Sequence, residues 1–503
     1  MVLSRVAIPG LAVLVLGSGV AGAQTTRICA VQGSGAVPAI LGTRVTVSGV
    51  VTVAFRNAGG FFLQEPSCDG DPATSDALFV DARGLSSWPA TGDRATVTGR
   101  VANELGLTSV VADTASDDGR YAGSIEAVRT SPPVDPLASA AYLESLEGML
   151  VALAPSRVVG ATDATGTAYV VPESSGVTRL HRGDADGQKL GIASPEAWLL
   201  ANQGDLASDV SGPLVETAAG FAVWVRAARP PALAPGRAPA VAAAPAPPGT
   251  LSIATYDLGA TGSLSARARS IATALSAPDV LVVQGAVSQE TLADLTSDPS
   301  LIGHGYRAVV ADGSDPDGRR VGLLYRADRV SLRAFETRPG AAGRRAPLVA
   351  HLQTAQGERF ALVGCDFLAV PGAVDAASAR MGLADHVRAL ADEIRLAEPD
   401  ARLLVLGDLD DGESSAPVLH LLAGGLLSDL HGRLPVERPY TVVAKGVSAA
   451  SDYVLVDAAL AARVVEVRAV HVNADWGRAA PGSEASSPRV ADHDPLLLRV
   501  RLP

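Results

Sequence analysis

From Pro230 to Pro248 the chain loses all periodicity, and that break separates two kinds of sequence. Proline and alanine dominate the stretch. Proline fixes φ and has no N–H for a ladder or a helix, so residues 230–249 read as an extended linker. Ahead of the break, the patterned stretches have the two-residue period of strands; behind it, strand-length apolar runs alternate with helical patterns. These are two fold classes, so the chain is multidomain, with an all-β half and an α/β half. Its 503 residues suffice for two or three domains, each with its own core.

In the first half, Arg44 to Ala54 alternates as a half-exposed strand should. Gly59-Gly60 turns into Phe61-Phe62-Leu63-Gln64, a short strand follows at Ala77 to Asp81, and Asp93 to Val101 repeats the alternation. Short strands separated by Gly, Pro and Asp turns predict a small barrel or sandwich over 24–128. A second β-rich segment, 129–229, contains Tyr142 to Val151, Ala168 to Val171 and Phe221 to Val225.

The second half, 250–503, predicts strands at Leu251 to Tyr256, Val280 to Gln284, Tyr306 to Ala311, Val321 to Tyr325, Leu348 to Leu352 and Phe360 to Cys365. Further strands are expected at Leu403 to Leu406, Asp452 to Val456, Val464 to Val470 and Leu496 to Val500. Helices are expected at Ser265 to Ser276 and Ala376 to Leu396, the latter stopped before Pro399. Many strands with few helices between them predict an α/β four-layer sandwich: two packed β-sheets flanked by helices.

At the N-terminus, Arg5 precedes an apolar run from Val6 to Leu16, and Ala21-Gly22-Ala23 forms a small-x-small site before Gln24. Residues 1–23 are expected to be a secretory signal peptide, and the mature protein to be secreted, periplasmic or extracellular. Beyond that leader no apolar run is long enough to span a membrane, and no protein partner can be read. In an oxidising compartment Cys29 and Cys68 could pair; two packed thiols are the other reading, and Cys365 stands alone on an apolar strand. A net charge of −12 argues against broad electrostatic adhesion to nucleic acid. It leaves room for a metal-assisted phosphodiesterase, in which a bound cation supplies the local positive charge.

The chemistry concentrates at Leu403-Leu404-Val405-Leu406-Gly407-Asp408-Leu409-Asp410. An apolar run ending in Gly-Asp reads as a buried strand delivering a carboxylate to the sheet's edge. If the extended geometry persists, Asp410 points to the same side as Asp408. Paired carboxylates there suit a divalent cation or an attacking water, while a solvated acidic turn is the plainer reading.

Six stretches extend this. They are Ile253-Ala254-Thr255-Tyr256-Asp257, Ala277 to Gly285, Val321 to Arg326, Gly407 to Asp410, Ser451-Asp452-Tyr453 and Asp492-His493-Asp494-Pro495. In this order they resemble the endonuclease/exonuclease/phosphatase superfamily, the deoxyribonuclease-like fold. Val31 to Gly35, Gly60 to Glu65, Leu146 to Val151 and His471 to Asp475 resemble secreted extracellular nucleases with an OB-like domain ahead of the catalytic one. The resemblance implies an OB-like N-terminal domain, a divalent cation (Mg2+, or Ca2+ or Mn2+), and nucleic acid as the substrate. It implies that Asp408 positions or activates water, that Asp452 orients His493 for acid/base work, and that Asp492 and Asp257 bear on the metal.

The departures from the family are as informative. The family's metal-binding Glu is Gly285 here, its Asn residues are Asp257 and Asp410, and its catalytic His is Asp366. A glycine offers no ligand, and a carboxylate cannot donate to a phosphate oxygen. The expectation is an exported relative of metal-dependent nucleases with impaired or lost catalysis. Two alternatives stand beside it: a non-catalytic exported binding protein using the acidic cleft for a cation or ligand, and an active phosphodiesterase with a rearranged metal site.

Overall fold

Alternation becomes structure in the strand Arg44–Phe55, whose buried and half-exposed residues take turns along its length. In the computed structural model, which describes residues 25–236, 242–259, 262–286, 288–312, 318–339, 345–367, 376–436, 439–483 and 487–503, it opens a closed barrel. The barrel strands are Arg44–Phe55, Gly60–Gln64, Ala77–Asp81, Asp93–Glu104 and Leu107–Arg120, in spatial order first, second, third, fifth, fourth. Val47, Val51, Phe61, Leu63, Val80 and Val97 fill its interior. A disulfide joins Cys29, on the short helix Ile28–Gln32, to Cys68, which decides between the two readings of these cysteines. The proposed signal peptide lies outside the described residues.

The second domain is a sheet of nine strands among the described residues, running from Val128–Thr130 at one edge to Ala232–Ala234 at the other. Two sequence expectations are corrected here. Tyr142 to Glu144 end a helix, Pro136–Glu144, because Asp135 caps its N-terminus and proline sits at its start; the strand begins only at Leu150. Nor is the linker wholly extended spacer, since Ala232–Ala234 pairs with Leu206–Ser208 and Ala243 packs into the next domain's core.

Barrel and second domain meet through aromatic packing. Phe55, Phe62 and Phe79 of the barrel bury against Val215 and Trp224, with Trp224 set edge-on to Phe55 and Phe62. Phe61 lies in the barrel core. Phe61 and Phe62 are both fully buried, so neither offers a ring for stacking bases.

From Thr250 the expected four layers are present. One six-stranded sheet runs Tyr306–Val310, Arg320–Arg326, Val280–Ala286, Thr250–Asp257, Leu496–Arg501, Val464–Ala469. The other runs Val330–Thr337, Leu348–Thr354, Arg359–Asp366, Arg402–Asp408, Asp452–Val456, Ser428–Asp429. The central strands are apolar on both faces because each sheet is covered on both there. Ile253, Val282, Leu404, Leu406 and Leu498 pack between the sheets. Tyr256, Leu281 and Val283 face Ile271, Leu292 and Leu295 on one outer side. Leu403 and Val405 face Leu383, Val387 and Leu390 of the helix Ala376–Ala397 on the other. Among the described residues no helix is long and apolar enough to cross a membrane.

Candidate active site

Both sheets deliver their polar strand ends to one edge of the sandwich. Strand register places Asp366 beside Asp408, and Asp408 beside Asp452. In the facing sheet Asp257 lies beside Gln284, and His493 precedes the strand that pairs antiparallel with Thr250–Asp257. Asp257, Asp408 and His493 thereby bring one ligand atom each to within 4.8 Å of one another.

The group is firmly held. Asp408 Oδ1 accepts from Ser451 Oγ at 2.7 Å and from the Asp410 amide at 2.8 Å. Asp257 Oδ1 accepts from the Gly259 amide at 2.6 Å. His493 Nδ1 is 2.9 Å from Asp452 Oδ2 and 4.0 Å from Asp408 Oδ2. Thr441 Oγ1 accepts from the amides of Ser451 and Asp452, fixing the turn that carries them. Asp452 is fully buried, and its Oδ1 has no hydrogen-bond partner among the described residues.

Charge follows from this packing. Burial pushes the Asp408 carboxyl well above its ordinary range, with Asp452, Asp366 and Asp257 adding to it and His493 opposing. For His493 burial works against the charge, but Asp452, Asp408 and Asp257 together raise the imidazole well above its ordinary value. A cation taking His493 as a ligand needs the neutral imidazole, so the acidic neighbours that favour its protonated form oppose that ligation.

The other acidic residues are each met by arginine. Asp410 departs from the expected extended geometry: φ there is +48°, and its carboxylate bonds Arg380 Nη1 at 3.1 Å. Asp411 takes Arg380 Nε at 3.1 Å. Asp366, at the family's histidine position, forms a buried ion pair with Arg345. Asp492 is bonded by Arg478 and by Arg489 Nη2, the latter at 3.2 Å. Burial works against ionisation of Asp492, yet these two arginines hold its carboxyl below the usual range. Asp257 thus joins the group that could hold a metal, whereas Asp492 lies outside it.

Sequence reading missed Arg380, Arg478, Arg489 and Thr441, and gave Ser451 no role although it lies in the Ser451-Asp452-Tyr453 stretch. Paired arginines such as 344–345 read as solvated or phosphate-facing; Arg345 is buried, and Arg344 lies outside the described residues. The available signal was an excess of aspartates at apolar strand ends, since carboxylates buried there require partners.

Gly285 is constrained by its own backbone. Its φ is +73°, and a Cβ there would lie 3.1 Å from Asp257 Oδ1. The backbone has taken a left-handed conformation that glutamate adopts only with strain.

Residues 263–435 match the family model described as Endonuclease/Exonuclease/phosphatase family, and this stretch contributes strands to both sheets of the sandwich. The C-terminal domain belongs to the endonuclease/exonuclease/phosphatase superfamily. Residues 108–234 match a second model, a domain of unknown function, DUF8508. No curated protein sequence matches the chain. Among solved structures it is similar to an endonuclease/exonuclease/phosphatase family protein of Bacteroides thetaiotaomicron, at 14% identity and a TM-score of 0.39, covering 51% of this chain and 97% of that one. A humanized TDP2 of D. rerio is similar at 18% identity and a TM-score of 0.38, covering 50% and 98%. A mannosyl-6-phosphatase of Bacteroides thetaiotaomicron is similar at 15% identity and a TM-score of 0.38, covering 49% and 98%. The superfamily is one of phosphodiesterase-type hydrolases, typically dependent on a divalent metal. In this member Asp257, Asp408 and His493 form a cluster that could hold one.

Proposed function

We propose that this chain is an exported superfamily member descended from a metal-dependent nuclease, in which phosphodiester hydrolysis is impaired or lost. The observation that carries the reading is Gly285. The position to which the resemblance assigns the metal's glutamate has no side chain, and its φ of +73° is a conformation that glutamate adopts only with strain, which supports the reading. Two further features support it. The catalytic histidine position is occupied by Asp366, which is neutralised by buried Arg345. Asp410, at an asparagine position, cannot donate to a phosphate oxygen and is tied to Arg380.

Export rests on the leader-like N-terminus and accords with the Cys29–Cys68 disulfide, since such bonds persist in oxidising compartments. The barrel's strand order supports reading the N-terminal domain as OB-like. Nucleic acid is the substrate class to which the resemblance points. A second reading is favoured by the Asp257–Asp408–His493 group, a donor set suited to a hard divalent cation. On that reading the cleft binds a cation without hydrolysing a phosphodiester. A cation there would supply positive charge to a phosphate oxygen; Asp452 orients the imidazole, and Ser451 holds Asp408.

The test uses the purified mature protein with plasmid DNA and with RNA, in magnesium, manganese or calcium and with chelator. The expected result is no metal-dependent cleavage above that of a His493→Ala variant. Cleavage by the wild type that needs metal and vanishes in the variant would overturn the proposed loss.

A further inference from the structure

Asp492 neighbours His493 in sequence, yet its Oδ1 accepts from two guanidinium groups. Arg489 belongs to the same loop and is anchored there, its Nε donating to Ala491 O at 3.0 Å and its Nη1 to Trp476 O at 3.2 Å. Arg478 differs, because its backbone is held by the second domain. Its amide donates to Thr162 O at 2.7 Å, and its carbonyl accepts from the Trp198 indole at 2.8 Å. The preceding residues are held likewise. The Gly477 amide donates to Asn202 Oδ1 at 3.0 Å, Gln203 N donates to Asp475 O at 2.9 Å, and Arg179 pairs with Asp475 at 2.7 Å.

A guanidinium and a divalent cation compete for the same carboxylate lone pairs. We propose that Arg478 is a built-in cation that shares Asp492 Oδ1 with Arg489 and weakens metal binding at that carboxylate, and that the second domain keeps it in place by holding the 475–478 backbone. The two domains therefore share one site: one supplies the carboxylates, and the other sets which of them are available. This goes beyond the proposed loss of hydrolysis and stands apart from it, because its readout is cation binding.

The experiment strips the full mature chain with EDTA, desalts it, and titrates Mn2+ while free Mn2+ is followed by electron paramagnetic resonance. Arg478→Gln is expected to bind Mn2+ about tenfold more tightly than wild type, because a positive charge in contact with the carboxylate is gone. Arg478→Lys keeps the charge and should stay near wild type. Adding Asp492→Asn to Arg478→Gln should abolish the gain. Trp198→Phe, which removes the indole donor to the Arg478 carbonyl, should give a smaller gain of about threefold. Should the glutamine variant fail to fold, Arg478→Met keeps the bulk of the side chain and gives the same readout. Unchanged Mn2+ affinity in folded Arg478→Gln or Arg478→Met, or a gain that survives Asp492→Asn, overturns the proposal. No change in Trp198→Phe beside a gain in Arg478→Gln overturns the second domain's part in it.

Discussion

At Gly285 the backbone itself is set against a side chain. With φ at +73° and the nearest Asp257 oxygen 3.1 Å from a would-be Cβ, any side chain there meets conformational strain and a close contact. Gly285→Ala should destabilise the domain by about 1–2 kcal/mol, seen as a lower Tm. Gly285→Glu should cost at least as much and should not by itself restore plasmid cleavage; the same nuclease assay checks it. That residue 285 has no side chain was legible in the sequence, because a residue type is read directly. The positive φ was not, because it depends on how Asp257, Gly259 and Gly285 share space. Asp366 teaches the same lesson. Its departure from the family was legible, but its partner Arg345 lies 21 positions away, and only folding brings them together. Asp366→Ala should therefore cost about 3–5 kcal/mol, by removing the carboxylate from a buried ion pair, and chemical denaturation would measure it.

At the scale of elements, the turn after the helix Pro136–Glu144 carries a pH dependence. Glu147 is fully buried there and accepts from the amide of Thr108 on the barrel. Burial pushes its carboxyl up to about 8, and burial with Glu216 nearby raises Glu144 to about 7. Both folded values lie above those of the unfolded chain, so the native state holds protons that the unfolded state releases. The stability this contributes is fully present below about pH 4.5 and is lost as pH rises towards about 8. Tm should fall over that window, and Glu147→Gln, which can still accept from Thr108, should flatten the fall. A flat wild-type profile would refute the assignment. The strands were legible because burial on one or both faces imposes a pattern. Tyr142 to Glu144 were misread as strand because the Asp135-Pro136 helix start outweighs a short apolar run. The edge strand Val330–Thr337 was missed; it is largely exposed, so burial imposed little pattern on it.

Across the whole molecule, the joints between domains decide what the site can use. The parallel pairing of Leu180–His181 with Val447–Ala449 carries a sheet from the second domain into the C-terminal one. Beside it Arg179 stacks over Tyr440 at 4.0 Å and pairs with Asp475, which also accepts from Tyr440 Oη at 2.8 Å. Arg179→Ala should cost about 3 kcal/mol by leaving Asp475 short of a partner. It should also make the 442–449 hairpin more sensitive to limited proteolysis. At the other end, the disulfide closes a loop over a separation of 39 residues, and replacing Cys29 and Cys68 by serine should cost the barrel about 3–4 kcal/mol, read from denaturant melts with and without reductant.

Sequence alone determined the four layers of the C-terminal domain and the superfamily to which those layers belong. Apolar periodicity and short motifs are local records of burial and of strand ends, and local records survive in one dimension. Tertiary structure alone decided what became of the remaining charges. It gathered Asp257, Asp408 and His493 from both sheets, gave Asp366, Asp410 and Asp492 to arginines, and set Arg478 by means of another domain. A carboxylate's availability depends on the nearest cation in space, and spacing along the chain does not encode that distance.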